Sequence, residues 1–296
     1  MELRQLEYFV AVAEEANFTR AAARVHVSQS GISAQIRQLE NDLGAPLFDR
    51  STRIATLTVA GEAALAHARA ALAAARAVRD AVDDVNQLVR GRLEVGMVTA
   101  CTVTPLFDAL SAFHHAHPGV DVSLTEDNSD RLVDGVRGGT VDLALVGVAG
   151  DTPTDLDSFT LVRERLVAAV PAGHPLTRLS SVTLADVCAH PLVALPAGTG
   201  IRTVLEQGCG ELRCRADVAL QASAPDAVAD LAVRGLGVAI LSESMAAAYP
   251  NLDSRVITDV PVDAVLALVW KQEPSPALRE LLTHTRRAFG EHVPSS

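Results

Sequence analysis

Ser28-Gln29-Ser30-Gly31-Ile32-Ser33-Ala34-Gln35-Ile36-Arg37-Gln38-Leu39-Glu40-Asn41-Asp42-Leu43-Gly44 is the stretch on which the fold turns. Ile32, Ile36, Leu39 and Leu43 stand at i, i+4, i+7 and i+11, which places them on one face of a helix. Ser28 is suited to cap its start, and Gly44 with Pro46 just beyond is suited to end it. The opposite face is Ser, Gln and Arg. Upstream, Val27-Ser28 turns the chain, and a short helix is predicted from Arg20 to His26, with Thr19 as its N-cap and Ala21, Ala22 and Val25 inward. Before the break at Asn17-Phe18-Thr19, a first helix carries Leu3, Leu6, Phe9, Val10 and Ala13 on one face. Two helices joined by a tight turn, the second apolar inside and Ser/Gln/Arg outside, form a helix-turn-helix pattern.

Downstream, Leu47 to Leu57 mixes apolar residues with Arg50, Ser51, Thr52 and Arg53 and suits a small β-hairpin, or wing. From Thr58 to Val89 there is no proline and alanine dominates, which favours helix. Leu65, Ala68, Leu72, Ala75, Val78, Val82, Val85 and Val89 make a narrow apolar seam with a period of about 3.5 residues, as in a coiled coil. A helix of that length, roughly 48 Å, needs a partner, so a dimer is implied. Arg90-Gly91-Arg92 breaks it. Beyond lie apolar runs at 93–98, 120–125, 141–147, 166–171, 191–195, 218–221, 238–241 and 265–270. Helical patterns at 104–115, 129–138, 201–207 and 224–234 alternate with them. Such alternation favours mostly parallel sheets with helices on both faces. Its length suits two small lobes with a cleft between them.

The 296 residues suggest about two domains. With 49% hydrophobic and 21% charged residues the chain can bury real cores. A net charge of −11 argues against nucleic-acid binding only if it is evenly spread. It is not: residues 18–58 hold five arginines and three acids, a local +2, and the remainder carries −13. Lys271 is the one lysine, so the basic groups of this region are all guanidiniums. The charged start Met1-Glu2-Leu3-Arg4-Gln5 precedes no apolar signal core, and no apolar run reaches membrane-spanning length. Four cysteines make no disulfide framework. The expectation is a cytoplasmic protein without membrane association.

The first sixty residues resemble the winged helix-turn-helix of the LysR-type transcriptional regulators. Leu6 and Phe9 open the pattern, followed by Phe18, Ala21-Ala22, Val25, Ser28-Gln29-Ser30, Ile32-Ser33, Ile36 and Leu39-Glu40. Leu43-Gly44, Leu47-Phe48, Arg50, Arg53, Leu57-Thr58 and Ala60-Gly61 complete it. Further on, Leu93-Glu94-Val95-Gly96, Gly139 to Leu145, Gly173-His174-Pro175-Leu176 and Gly235 to Leu241 sit where the family's second domain, similar to periplasmic solute-binding proteins, would have them. The resemblance implies an α plus α/β fold: a winged helix-turn-helix at 1–58, a linker and dimerisation helix at 59–90, and an effector-binding domain at 91–296. The two α/β lobes of that domain would take about 91–162 plus 267–296, and 163–266. It also implies a homodimer or homotetramer that binds double-stranded DNA, answers to a small-molecule effector and contacts RNA polymerase, with no cofactor.

In such a fold Gln29 faces base edges, where its amide can pair with adenine. Ser28, Ser30 and Ser33 suit phosphates, Arg37 reaches the backbone, and Arg50 and Arg53 on the wing meet phosphates or the minor groove. The family often has arginine at position 34; Ala34 removes one such contact. Effector contacts fall by resemblance in three segments placed at strand ends and helix starts. These contribute Thr99, Cys101 and Thr102, then Thr199 and Arg202 of a glycine-rich loop, then Ser223. Helix capping, or a structural role for the arginine, accounts for the same residues equally well.

Some family members sense peroxide through a cysteine pair; by alignment the reactive position is Gly200 here and only the partner position, near Cys209, is cysteine. Cys209 and Cys214 are close enough in sequence to bridge, while free structural thiols are the simpler reading. No metal-ligand spacing stands out, and His114, His115 and His117 read as a surface helix end. There is no Gly-x-Ser-x-Gly, P-loop or His-Glu-x-x-His, which leaves an enzyme without a catalytic constellation. A binding protein whose N-terminal helices only dimerise is the remaining alternative; it would show no salt-dependent DNA affinity.

Overall fold

A computed structural model of the chain describes residues 1–49, 54–85, 89–99 and 103–290. They fall into two compact units, one running through the long helix and the other beginning at Val89.

In the first unit α1 (Leu3–Glu15), α2 (Phe18–Arg24) and α3 (Gln29–Leu43) precede a hairpin of β1 (Phe48–Asp49) and β2 (Thr56–Leu57), then α4 (Val59–Val85). Asn17, not Thr19, caps α2: its Oδ1 accepts from Thr19 N at 2.8 Å and Arg20 N at 3.0 Å. The interrupting Asn17 is the better cap because its side chain reaches the first free N–H groups. Ser28 caps α3, accepting from Gly31 N at 3.0 Å, and Gly44 ends it in the left-handed conformation at φ 71°. Ile32, Ile36 and Leu39 are fully buried, whereas Leu43, expected with them, is 46% exposed. Leu3 is likewise on the surface, because α1 packs on α2, α3 and α4 and so buries Leu6, Tyr8, Phe9 and Val12 on two sides.

The wing is anchored from the core outward. Phe48 meets Phe9 and Phe18 edge-on, each with ring centres 5.5 Å apart. The Glu40 carboxylate accepts from Leu47 N at 2.9 Å and Phe48 N at 3.3 Å. Thr58 donates to Pro46 O at 2.7 Å and accepts from Gly61 N at 3.0 Å, starting α4. A Cβ at Gly61 would stand 2.2 Å from Leu47 O, so only glycine fits there. The apolar seam of α4 divides. Ala68 is buried, and Leu65 and Leu72 are partly buried on the helical core, while Val78 and Val82 are exposed.

The second unit holds two five-stranded sheets. The first lobe contains β3 (Gly91–Val98), α5 (Thr104–Ala116), β4 (Val120–Asp127), α6 (Ser129–Gly138), β5 (Leu143–Ala149) and β6 (Asp157–Glu164). The second contains β7 (Leu166–Pro171), α7 (Leu184–Cys188), β8 (Leu192–Ala194), α8 (Gly200–Leu212), β9 (Val218–Gln221), α9 (Pro225–Val233), β10 (Val238–Ser242), α10 (Glu243–Ala247) and β11 (Leu252–Val256). The chain then returns to the first lobe with β12 (Ala264–Trp270) and α11 (Pro276–Ala288).

The sheet orders are β4-β3-β5-β12-β6 and β11-β7-β10-β8-β9. Each is mixed rather than mostly parallel. In the first, β3 is parallel to β4 and β5 but β12 is antiparallel to both of its neighbours. In the second, β8 is parallel to β9 and β10 but β7 is antiparallel to both of its neighbours. The antiparallel flanks arise where the chain crosses between lobes and re-enters from the other end. β6 and β11, absent from the sequence reading, are edge strands whose Asp, Arg and Ser residues face solvent and interrupt the apolar run. The first sheet carries α5 and α11 over one core and α6 over another. The second lobe has a single large core.

Candidate DNA-reading surface and effector cleft

The surface at the start of α3 follows from its cap. Ser28 Oγ accepts the Gly31 N–H at 3.0 Å and lies within hydrogen-bond distance of Ser30 Oγ, at 3.2 Å. Gln29 is exposed one residue on, and its amide donates to Ser33 Oγ at 3.3 Å within the helix. Ser30 and Arg37 are exposed, and Ser33 is half-buried. Ser28, Gln29, Ser30 and Ser33 thus lie at and just beyond the positive end of a helix dipole, with Arg37 exposed a turn further along. Arg50 and Arg53 lie outside the described residues.

The local charge is smaller than the count over residues 18–58 suggests. Arg24 pairs with Glu14 at 2.8 Å and Arg20 with Glu15 at 3.3 Å. Arg69 of α4 also reaches Glu14, at 3.0 Å. These acids sit on α1, just outside the stretch that was counted. Two of its five arginines therefore hold helices together.

In the second unit the sequence places its effector contacts near the C-terminal ends of β3, β8 and β9. There the lobes meet backbone to backbone. A Cβ on Gly200 would lie 2.5 Å from Gly147 C, so the start of α8 packs directly on β5. Ser129, which is buried, fixes this contact. Its N–H donates to Gly198 O at 3.1 Å, and its hydroxyl accepts from Gly147 N at 2.9 Å. Ser129 is missing from the sequence-derived site. The one hint of it is the pair Asn128-Ser129 between a strand and a helix, where Asn128 accepts from Arg131 N at 2.9 Å.

Thr99 is exposed at the end of β3, with its N–H on Asp127 O at 3.2 Å. Thr199 turns its hydroxyl back to Pro196 O at 2.8 Å, so it closes its own loop. Arg202 is mostly buried and pairs with Glu206 at 2.7 Å, with a longer bond of 3.5 Å to Leu195 O. The carboxylate it meets is the chain's own. Ser223 is exposed after β9. Cys101 and Thr102 lie outside the described residues. A cavity of about 360 Å³ lined by Asp226, Asp230 and Tyr249 lies on the second lobe by α9 and α10. Tyr249 donates to Asp226 there, and burial together with that partner pushes its hydroxyl up to about 12.

Two sequence expectations change. His117 is not a simple surface histidine: its ring is 5.1 Å from that of Phe113 and 6.2 Å from that of His284, and its Nε2 is 3.9 Å from Glu280. The cysteines, which showed no ligand spacing, converge. Cys188 Sγ is 3.9 Å from Cys209 Sγ and 3.8 Å from Cys214 Sγ, and all three are free thiols.

Comparison with known proteins agrees across both units. Residues 3–62 match the bacterial regulatory helix-turn-helix protein, lysR family, and residues 86–290 match the LysR substrate binding domain. The HTH-type transcriptional regulator YnfL of Escherichia coli K12 is 34% identical, covering 98% of this chain and 99% of its own. A full-length OxyR variant from Pseudomonas aeruginosa superposes with a TM-score of 0.70 at 26% identity, over 97% of this chain and 95% of its own. Full-length CbnR in complex with its target DNA does so with a TM-score of 0.58 at 29% identity, over 97% of this chain and 100% of its own.

Proposed function

The chain belongs to the LysR family of bacterial transcriptional regulators, and from that premise we propose how its parts divide the task. It is a DNA-binding regulator governed by a small-molecule effector, and not an enzyme. The start of α3 enters the major groove. Gln29 reads a base edge, Ser28, Ser30 and Ser33 meet phosphates, and Arg37 holds the backbone further along. Arg50 and Arg53 of the wing take phosphates or the adjacent minor groove. The observation that carries this reading is the exposed Ser28–Ser30 surface on a capped helix start, with Ile32, Ile36 and Leu39 buried behind it.

Residues 59–90 form the linker that pairs two chains. The exposed Val78 and Val82 on α4 support this, since an apolar stripe in water favours a partner. A dimer, or a tetramer built from two, then spans half-sites one or two helical turns apart. The small net charge of one head makes joint engagement of two heads necessary for affinity. Working on the chromosome, the protein resides in the cytoplasm. The effector binds between the lobes of residues 91–296, against Thr99, Cys101, Thr102, Thr199, Arg202 and Ser223. It shifts the lobes and with them the spacing of the heads and contact with RNA polymerase.

Gel-shift titration with the promoter region of its own gene tests the reading head. Gln29→Ala and Arg50→Ala are each expected to weaken the specific complex; unchanged binding in both places the head wrongly. For the cleft, a thermal-shift screen of aromatic acids, amino acids and sugars should yield a ligand that raises Tm in the wild type and not in Arg202→Ala. An equal rise in both removes Arg202 from the site.

A further inference from the structure

Three thiols from separate parts of the second lobe meet at one point. Cys188 ends α7, Cys209 lies near the end of α8, and Cys214 follows α8, its N–H bonded to Cys209 O at 3.0 Å. The three sulfurs all lie within 4.8 Å of one another, with two separations of 3.8 and 3.9 Å. A cation bound by thiolates at about 2.3 Å requires sulfurs about 3.8 Å apart in tetrahedral and about 4.0 Å apart in trigonal geometry. The two separations from Cys188 are already at that spacing, and the third sulfur pair lies within 4.8 Å. A disulfide uses two sulfurs at about 2.05 Å, so it would have to draw a pair together by nearly half the distance and strand the third. Cys209 is buried and the other two are half-buried, so the sulfurs are held by the core yet approachable from one side.

We propose that Cys188, Cys209 and Cys214 form a three-thiolate site for a soft d10 cation, Zn(II) or Cu(I). On binding, three metal–sulfur bonds form as up to three S–H bonds ionise, the protons pass to solvent, and no electrons are transferred. In the metal-free protein burial raises the Cys188 thiol to about 11 and the Cys209 thiol further still. The cation would tie α7 to α8, the helix whose first residue packs on Gly147 of the other lobe. Any consequence for effector response rests on the proposed cleft, but the binding itself does not.

The experiment uses the full chain, reduced and metal-free under nitrogen. Co(II) is titrated as a spectroscopic stand-in for Zn(II), and Cu(I) is supplied from a chromogenic chelator in a separate titration. The expected result is one ion per chain, an intense sulfur-to-cobalt charge-transfer band displaced by Zn(II) or by Cu(I), and protection of three of the four thiols from a thiol reagent. The order of displacement identifies the preferred ion. Cys188→Ser and Cys214→Ser, each checked for an unchanged unfolding midpoint without metal, should weaken binding by more than about 100-fold. Absence of the charge-transfer band, or its survival in both folded variants, overturns the proposal. So does formation of a disulfide among these cysteines under mild oxidant in a chain that takes up neither ion.

Discussion

Two helix starts in this molecule are built from similar residues and do different things. α3 begins Ser28-Gln29-Ser30-Gly31, and α8 begins Thr199-Gly200-Ile201-Arg202. Both offer free N–H groups and the positive end of a dipole. At α3 nothing among the described residues covers the start: Gln29 and Ser30 are exposed, and Ile32, Ile36 and Leu39 are buried behind them. At α8 the other lobe stands in front, touching Gly200 through the backbone of Gly147. Thr199 and Arg202 are engaged by Pro196 and Glu206. An open helix start suits a large external partner such as a DNA groove. A covered one suits a small ligand whose arrival rearranges bonds already made. What the packing leaves in front of the helix, rather than the helix itself, separates the two roles.

The comparison is broken most severely from behind. Ile36→Ala removes a fully buried side chain beneath the reading surface and should cost the head about 2–5 kcal/mol. Urea unfolding followed alongside DNA titration checks this. A loss below about 1 kcal/mol would show that α3 does not depend on the packing behind it.

The paired substitution Gly200→Ala and Gly31→Ala sharpens it. At Gly200 the new methyl meets backbone at 2.5 Å, so overpacking should cost about 1–3 kcal/mol. At Gly31 it meets only Ser28 Oγ at 3.0 Å, a side-chain atom that can shift, and the gain of about 0.5–1 kcal/mol for Ala over Gly in a helix offsets it. Equal thermal shifts in the two variants would erase the distinction between the covered and the open start.

Within the open start, Gln29→Ala should lose about 1–3 kcal/mol of discrimination at one A·T pair. Arg37→Ala should weaken all sequences alike and lower the slope of log affinity against log salt by about 1. Binding to a set of single-base operator variants at several salt concentrations separates them. A uniform loss from Gln29→Ala would make it a backbone contact.

The smallest effect concerns pH. Burial, then His117 and Arg287, hold His284 below the usual imidazole value against an opposing pull from Glu280. Burial and His190 do the same for His174. Because the unfolded imidazoles take up protons first, both histidines should subtract stability as pH falls through the ordinary histidine value of 6.5 toward the depressed folded values. Above about pH 8, where the unfolded imidazoles are also neutral, they contribute nothing. The unfolding midpoint of the second unit should drop between about pH 8 and about pH 5, and less so in His284→Gln. An unchanged dependence in that variant would remove His284 from the account.

Much of the head is legible in the sequence because its motif residues are largely structural. Ser28 and Gly44 bound α3, Glu40 ties down the wing, and Gly61 lets α4 pass Leu47 O. Such local rules act over a few residues and leave a mark in the string. The central strand β7 and the short edge strand β9 read with their full bounds, but the edges β6 and β11 did not, because exposed Asp, Arg and Ser residues break their apolar pattern. The site was less legible. Glu14 and Glu15 neutralise Arg20 and Arg24 from another helix, Ser129 joins the cleft from the opposite lobe, and Cys188 meets Cys209 and Cys214 across a helix pair.

By itself the sequence determined the winged helix-turn-helix, the long alanine-rich helix, the α/β character of the rest and the family, because periodicity, caps and turn glycines are short-range requirements. Only the tertiary structure decided that Arg20 and Arg24 are paired with acids of α1, how the lobes touch through Gly147 and Gly200, that the sheets are mixed, and that Cys188 meets Cys209 and Cys214. Those facts depend on which distant segments lie side by side, and no local spacing encodes that.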